Sequence, residues 1–223
     1  MKNPFVQSQV PVTLVGGAPL ESDRLQESLA LAPFLVAADG GAARAMEGGH
    51  TPRAVIGDMD SLGPGLRAQL DPATVLEIAE QDSTDFDKCL ANISAPLVIA
   101  VGFTGARLDH ELAVYNVLAR RRAGAGAAVV LGTHDVAFHA PPALRLDLPE
   151  GSRVSLFPMA PVTGRSRGLR WPIDGIGFAP AGRSGTSNEV AGGPVELDLD
   201  GPGMLMILPR AALTQVVRTL SGG

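Results

Sequence analysis

Between Val10 and Leu131, short unbroken runs of apolar β-formers alternate with stretches of helical spacing, and this alternation constrains the fold more than any other feature of the chain. Val10–Val15, Leu35–Ala38, Ala54–Ile56, Thr74–Ile78, Leu97–Val101 and Ala127–Leu131 read as strands. Between them, helices are expected over Leu20–Leu31 (Leu25 and Leu29 on one face, Pro33 as the stop), Ala42–Glu47, Thr84–Asn92 (Ser83 or Thr84 as N-cap) and Leu108–Ala123 (Leu112, Tyr115 and Leu118-Ala119 on one face). Strands that are apolar at every position are buried on both faces. That is the condition of a parallel sheet covered by helices on both sides. In such sheets ligands bind beyond the carboxyl ends of the strands.

The pattern changes near residue 135 to short stretches punctuated by Gly and Pro: Ala143–Leu148, Arg153–Pro158, Gly168–Ile173, Gly177–Ala181, Val195–Leu199 and Met204–Leu208. This is the signature of an antiparallel β-sandwich. The fold class expected is therefore α/β, with a parallel-sheet domain over residues 1–133 followed by an antiparallel β-sandwich over residues 134–223. Leu213–Leu220 fits a terminal helix or strand equally well.

Three of the strand runs end in acidic stretches: Asp39-Gly40-Gly41, Gly57-Asp58-Met59-Asp60-Ser61 and Ser83-Thr84-Asp85-Phe86-Asp87-Lys88. Gathered carboxylates repel one another, and a hard divalent cation offsets that repulsion. Magnesium is usually held by one or two carboxylates, with substrate phosphates and water completing the octahedron. Any one of these stretches could be a turn; three at the carboxyl ends of strands in one sheet point to phosphate chemistry. Asp58 and Asp60, two apart after a strand, can turn toward one ion, and Asp85 at the head of a helix can bring a third carboxylate. Gly102–His110 follows another strand and opens a helix, so its backbone N–H groups suit a phosphate, with Arg107 as a forked donor. His110 reads as a helix residue that orients Asp109 or packs. Neither a Walker-type loop nor a Gly-x-Gly-x-x-Gly loop is present. Gly185–Glu189 reads as a hairpin turn, and Trp171, the single tryptophan, as a core residue.

The net charge of −5 and the low share of charged residues, 18%, argue against a nucleic-acid or membrane-surface partner. No signal peptide and no apolar run long enough to span a membrane is visible, so a cytoplasmic location is expected. Cys89, the only cysteine, falls in a helix and reads as a small buried apolar residue.

Asp39-Gly40-Gly41-Ala42, Pro52 with Ile56–Ser61, Gln81–Lys88 and Gly102–His110 together resemble the thiamine pyrophosphokinase family, in its order and approximate spacing. Gly168–Ile173 and Gly185–Glu189 resemble its C-terminal pattern. The resemblance implies a homodimer with its active site at the subunit interface, an ATP- and magnesium-binding catalytic domain, and a sandwich that binds thiamine and dimerises. It implies transfer of the diphosphate of ATP to thiamine, giving thiamine diphosphate and AMP. Asp58, Asp60 and Asp85 would be the metal ligands. Asp39, Gly40, Gly41, Gln81, Thr84, Lys88, Thr104, Gly105 and Arg107 would line the ATP and phosphate region. Ser187 and Asn188 would face thiamine. The catalytic set is Asp58, Asp60, Asp85, Arg107 and Asp109, with Asp85 or Asp109 hydrogen-bonded to the thiamine hydroxyl. Met204 and Met206 stand in the strand where some relatives carry an aromatic. Two other readings remain: a magnesium-dependent hydrolase of nucleoside or sugar diphosphates, which would use the same carboxylates but not require Ser187-Asn188, and a non-catalytic sensor of thiamine diphosphate or a nucleotide, which would keep Ser187-Asn188 yet tolerate loss of the aspartates.

Overall fold

The computed structural model describes residues 3–121 and 126–222. Two compact units make up the chain, with the changeover between Gly132 and Thr133; the end of one helix, from Leu118, groups with the second unit. In the first unit the elements run β1 (Val6–Gln7), β2 (Val12–Val15), α1 (Ser22–Leu31), β3 (Phe34–Ala38), α2 (Gly41–Glu47), β4 (Ala54–Gly57), α3 (Pro64–Arg67), β5 (Val75–Glu77), α4 (Asp85–Asn92), β6 (Ile93–Ser94), β7 (Leu97–Val101), α5 (Leu108–Ala119) and β8 (Ala127–Leu131). Strands β2, β7 and β8 pair in parallel, as do β3, β4 and β5, and β3 lies alongside β2. Strands β2, β4 and β7 are buried at every residue, which explains why they read as continuous apolar runs. Ala37, Ala42, Val55, Met59, Leu62 and Leu70 close a core beneath the loop that follows β4.

The chain leaves β2 toward β3 on one side, and β7 flanks β2 on the other, so loops diverge between β2 and β7. That is the switch point where open α/β sheets bind ligands. The two loops meet backbone to backbone there. A Cβ on Gly16 would lie 2.5 Å from the Gly102 carbonyl oxygen, and Gly102 has φ +71°. Only glycine permits that approach.

Helix α5 has one departure from its expected pattern. Leu118 is buried, but Leu108 and Leu112 are exposed, so the apolar face lies further along the helix. The expected end at Ala123 falls outside the described residues; α5 stops at Ala119. Strands β1 and β6, each of two residues, pair in parallel and were too short to leave a periodic signal.

The second unit holds β9 (Asp135–His139), β10 (Ala143–Leu146), β11 (Arg153–Pro158), β12 (Gly164–Arg167), β13 (Gly185–Glu189), β14 (Val195–Leu199), β15 (Met204–Pro209) and the helix α6 (Leu213–Leu220). One antiparallel sheet runs β13-β11-β15-β9 and a second β10-β14-β12, giving the sandwich expected from the sequence. Two expected strands are not strands. Gly168–Ile173 and Gly177–Ala181 make only isolated bridges, Leu169 to Val190 and Phe178 to Val162. Their apolar side chains still plug the core, since Leu169, Ile173 and Phe178 are buried, so the hydrophobic signal was real while the ladder was not. Conversely, Gly185–Glu189 is a strand rather than a hairpin turn, paired with β11 through an irregularity between Val154 and Leu156.

Candidate active site

Two strand ends and the start of a helix build the acidic centre. Asp39 follows β3 directly, is 2% exposed and has φ +34°, a conformation a non-glycine residue adopts at a cost. Its N–H donates to the Ile56 carbonyl (3.0 Å), and its Oδ2 accepts from the Ser61 N–H (3.1 Å). Its other oxygen, Oδ1, is buried without a hydrogen-bond donor. A Cβ on Gly57 would stand 2.7 Å from the Asp39 Cβ, so the glycine is what lets β4 come this close. Burial holds the Asp39 carboxyl above its ordinary range, against the hydrogen bonds from Ser61.

Asp58 and Asp60 leave β4 on either side of Met59, whose φ of +65° turns the loop so that both carboxylates converge on Asp39. One oxygen from each of Asp39, Asp58 and Asp60 lies within 4.8 Å of the others. Asp58 Oδ2 accepts from Gln81 Nε2 (3.1 Å) and Lys88 Nζ (3.3 Å), while Oδ1 makes one long contact to the Asp60 N–H (3.4 Å). Burial pushes the Asp58 carboxyl up, but the hydrogen bonds from Gln81 and Lys88 outweigh it and hold it below the usual range.

Thr84 caps α4, its hydroxyl accepting from the Asp87 N–H (3.4 Å). The cap sets Asp85 in the first turn, half-buried, with its carboxyl pushed up to about 6 by burial and by the charges of Asp58 and Asp39, which Lys88 only partly offsets. Lys88, one turn on, is 3% exposed and lies 3.9 Å from Asp85. Asp85 therefore feels the other acids without joining the oxygen group of Asp39, Asp58 and Asp60. Cys89 is buried, as expected, its thiol 3.6 Å from the Ile56 carbonyl.

This donor set suits a hard divalent cation: clustered carboxylates, one buried oxygen without a donor, and a neighbouring acid whose proton affinity is raised by their charge. The residues present fit magnesium.

The loop after β7 adds cationic and backbone donors. Arg107 and Asp109 form a two-pronged ion pair (3.1 and 2.6 Å) on the surface, which raises the arginine's proton affinity and lowers the aspartate's. The Gly105 N–H is already donated to Glu111 Oε2 (2.9 Å). Thr104 is half-buried, and His110 is exposed rather than packed. Gly40 and Gly41 open α2 beside the Gly16-Gly17 turn, with Gly40 backbone atoms 3.7 Å from the position of a Gly17 Cβ.

In the second unit, Trp171 is 54% exposed, contrary to its expected place in the core. The segment is not a strand, so the alternation that would bury it with Leu169 and Ile173 does not operate. Asn188 is buried and clamps the tryptophan backbone from both sides: its Nδ2 donates to the Trp171 carbonyl (2.7 Å) and its Oδ1 accepts the Trp171 N–H (3.2 Å). The Arg170 guanidinium stands 5.3 Å from the indole centroid. Ser187, with φ +60°, points its N–H at the buried Ser155 hydroxyl (3.0 Å) in place of a ladder bond. Asn188 thus holds the backbone of Trp171, whose expected place was the core, with the indole exposed.

A cluster of acids at the carboxyl ends of a parallel sheet, in a chain that continues into an antiparallel sandwich, defines the class as an α/β fold with a candidate ligand site at its strand ends. Residues 25–130 match the model described as thiamin pyrophosphokinase, catalytic domain. Thiamine pyrophosphokinase 1 of Oryza sativa subsp. japonica is 29% identical over 218 residues, covering 82% of this chain and 79% of its own. The thiamin pyrophosphokinase from Candida albicans superposes with a TM-score of 0.75 at 14% identity, covering 94% of this chain and 95% of that one. That from Bacillus subtilis gives 0.71 at 20% identity, covering 89% and 98%. Residues 25–130 are therefore similar to the thiamine pyrophosphokinase catalytic domain, and the chain has the fold of those proteins over nearly its whole length.

Proposed function

We propose that the protein transfers the diphosphate group of ATP to the hydroxyl of thiamine, forming thiamine diphosphate and AMP, with magnesium, in the cytoplasm and as a homodimer whose active site lies at the subunit interface. The observation that carries this reading is the convergence of Asp39, Asp58 and Asp60 at the carboxyl ends of β3 and β4, inside the matched catalytic domain.

Asp58 and Asp60, with Asp85 or Asp39 beside them, would hold the ion. Bound there, magnesium would neutralise the charge that grows on the oxygens between the β and α phosphates. Arg107 is surface-exposed and paired with its neighbour Asp109, so it can exchange that partner for a phosphate and bind it with the same fork. Its release frees Asp109, which, like Asp85, stands as an acceptor for the thiamine hydroxyl. Gly40, Gly41, Gln81, Thr84, Thr104 and Gly105 border the nucleotide. Positioning supplies most of the remaining rate, because phosphoryl-type transfer asks little covalent work of the protein. On the thiamine side, the exposed Trp171 face suits a flat heterocycle, Ser187 offers a hydroxyl, and Asn188 acts by fixing the Trp171 backbone.

Incubation with ATP and magnesium, with and without thiamine, tests this. AMP formed only when thiamine is present is the expected outcome. AMP formed equally without it would identify a hydrolase, and ligand binding without AMP would identify a sensor.

A further inference from the structure

Lys88 is a buried cation committed to carboxylates. Its ammonium lies 3.3 Å from Asp58 Oδ2 and 3.9 Å from Asp85 Oδ1, and burial without such partners would be strongly destabilising. It is also out of character for this chain, which contains sixteen arginines and two lysines, the other being Lys2. The lysine places a compact point charge between the two carboxylates, where an arginine would place a broad planar fork. The pairing divides the two oxygens of Asp58. Oδ2 accepts from Gln81 and Lys88, whereas Oδ1 makes a long contact to the Asp60 N–H, which leaves Oδ1 the less committed oxygen of the residue that groups with Asp39 and Asp60.

We propose that Lys88 is a positioning residue acting through Asp58 as a built-in counter-ion: it aims one Asp58 oxygen at the cation site and opposes capture of a bare divalent cation, so that the metal is taken up together with the polyphosphate. This rests on the reading of the acid cluster as a cation site, and it places Lys88 on the carboxylates rather than on the phosphates. Two consequences of removing the ammonium oppose each other. Asp58 loses one restraint, which weakens metal binding, and a full positive charge beside a dication disappears, which strengthens it. Gln81 still restrains Oδ2 in such a variant, so the second effect is the larger. In the intact protein the negative charge of the incoming phosphates offsets the ammonium, and metal and nucleotide binding reinforce each other.

The test titrates Mn2+ alone into the full-length protein and into Lys88→Met and Lys88→Gln, by calorimetry, with thermal melts to verify folding. Both neutral variants are expected to bind Mn2+ about tenfold more tightly, and added pyrophosphate should improve that affinity less than it does in the unaltered protein. Unchanged or weaker Mn2+ binding in folded variants would overturn the proposal, as would a loss confined to pyrophosphate binding, the mark of a phosphate ligand. If neither variant folds, lysine 15N labelling of the unaltered protein decides, since Lys88 and Lys2 are its only lysines. A slowly exchanging ammonium resonance that shifts when Mg2+ and pyrophosphate are added together supports the proposal. A rapidly exchanging one resembling an unburied lysine overturns it. Failure of thiamine-dependent AMP formation alongside tighter Mn2+ binding would remove the reaction assignment and leave this inference standing.

Discussion

Two charged clusters sit in this molecule, and they differ in what surrounds the charge. On the outer face of β10-β14-β12, Arg145, Arg165, Arg167, Asp174, Glu196 and Asp198 line an open groove of about 700 Å³. Arg145 pairs with Glu196 (2.6 Å), and these side chains are largely solvated. At the ends of β3 and β4, by contrast, Asp39 is sealed from water with one oxygen lacking a donor, and Lys88 is buried between two carboxylates. The first cluster is more balanced in sign and open to solvent. The second is the one in which desolvation shifts proton affinities and leaves charge in need of a partner. A site is marked by charge held away from water, more than by charge or by volume.

That contrast can be broken by mutation. The largest effect is expected for Asp58→Asn, which should lower thiamine-dependent AMP formation by about a hundredfold or more; a variant with near-normal turnover would show that the buried cluster is not the reaction centre. Next comes Asp39→Asn, which removes a buried, under-bonded charge at a position whose φ asparagine tolerates. The metal-free protein should melt about 2–4 °C higher while binding Mn2+ more weakly, a combination readable by paired thermal and calorimetric measurements.

A smaller effect concerns pH. His139 accepts the Gly203 N–H at Nε2 (2.8 Å), and burial holds its proton affinity below the ordinary value of 6.5. The folded state therefore binds that proton less readily than the unfolded state. The stabilisation is present above pH 6.5 and is lost as pH falls through the lowered folded value, with a slope of at most about 1.4 kcal/mol per pH unit. Denaturant midpoints between pH 7.5 and 5 should show this slope in the unaltered protein, and His139→Gln should flatten it. Smallest of all, Glu196→Gln in the open groove should shift the melting temperature by no more than about 2 °C and leave Mn2+ affinity unchanged, as solvated ion pairs contribute little. A large loss there would erase the distinction between the two clusters.

The first unit was far more legible in the sequence than the second. Strands such as Leu97–Val101 are buried at every position, so composition alone exposes them, and helix α4 announces itself through Thr84 as its cap. In the second unit, Gly168–Ile173 carries the apolar residues of a strand but only an isolated bridge, while Gly185–Glu189 carries turn residues and forms a strand. Ladder bonds there depend on partners distant in the chain, which local composition does not encode. Likewise, Leu112 has helical spacing yet faces solvent, because periodicity gives a helix a face without saying what covers it.

For the site, the sequence by itself determined that Asp39, Asp58 and Asp60 stand at strand ends, since they follow their apolar runs closely, that Asp85 heads a helix, and the order of the motifs that resemble the thiamine pyrophosphokinase family. Only the tertiary structure showed that Asp39 joins Asp58 and Asp60, that Asp85 stands apart with Lys88, that Asn188 is a clamp, and that Trp171 is presented outward. The reason is physical. Chain position fixes where a side chain is attached, but exposure, pairing and proton affinity are set by groups that arrive from elsewhere in the sequence when the sheet closes over them.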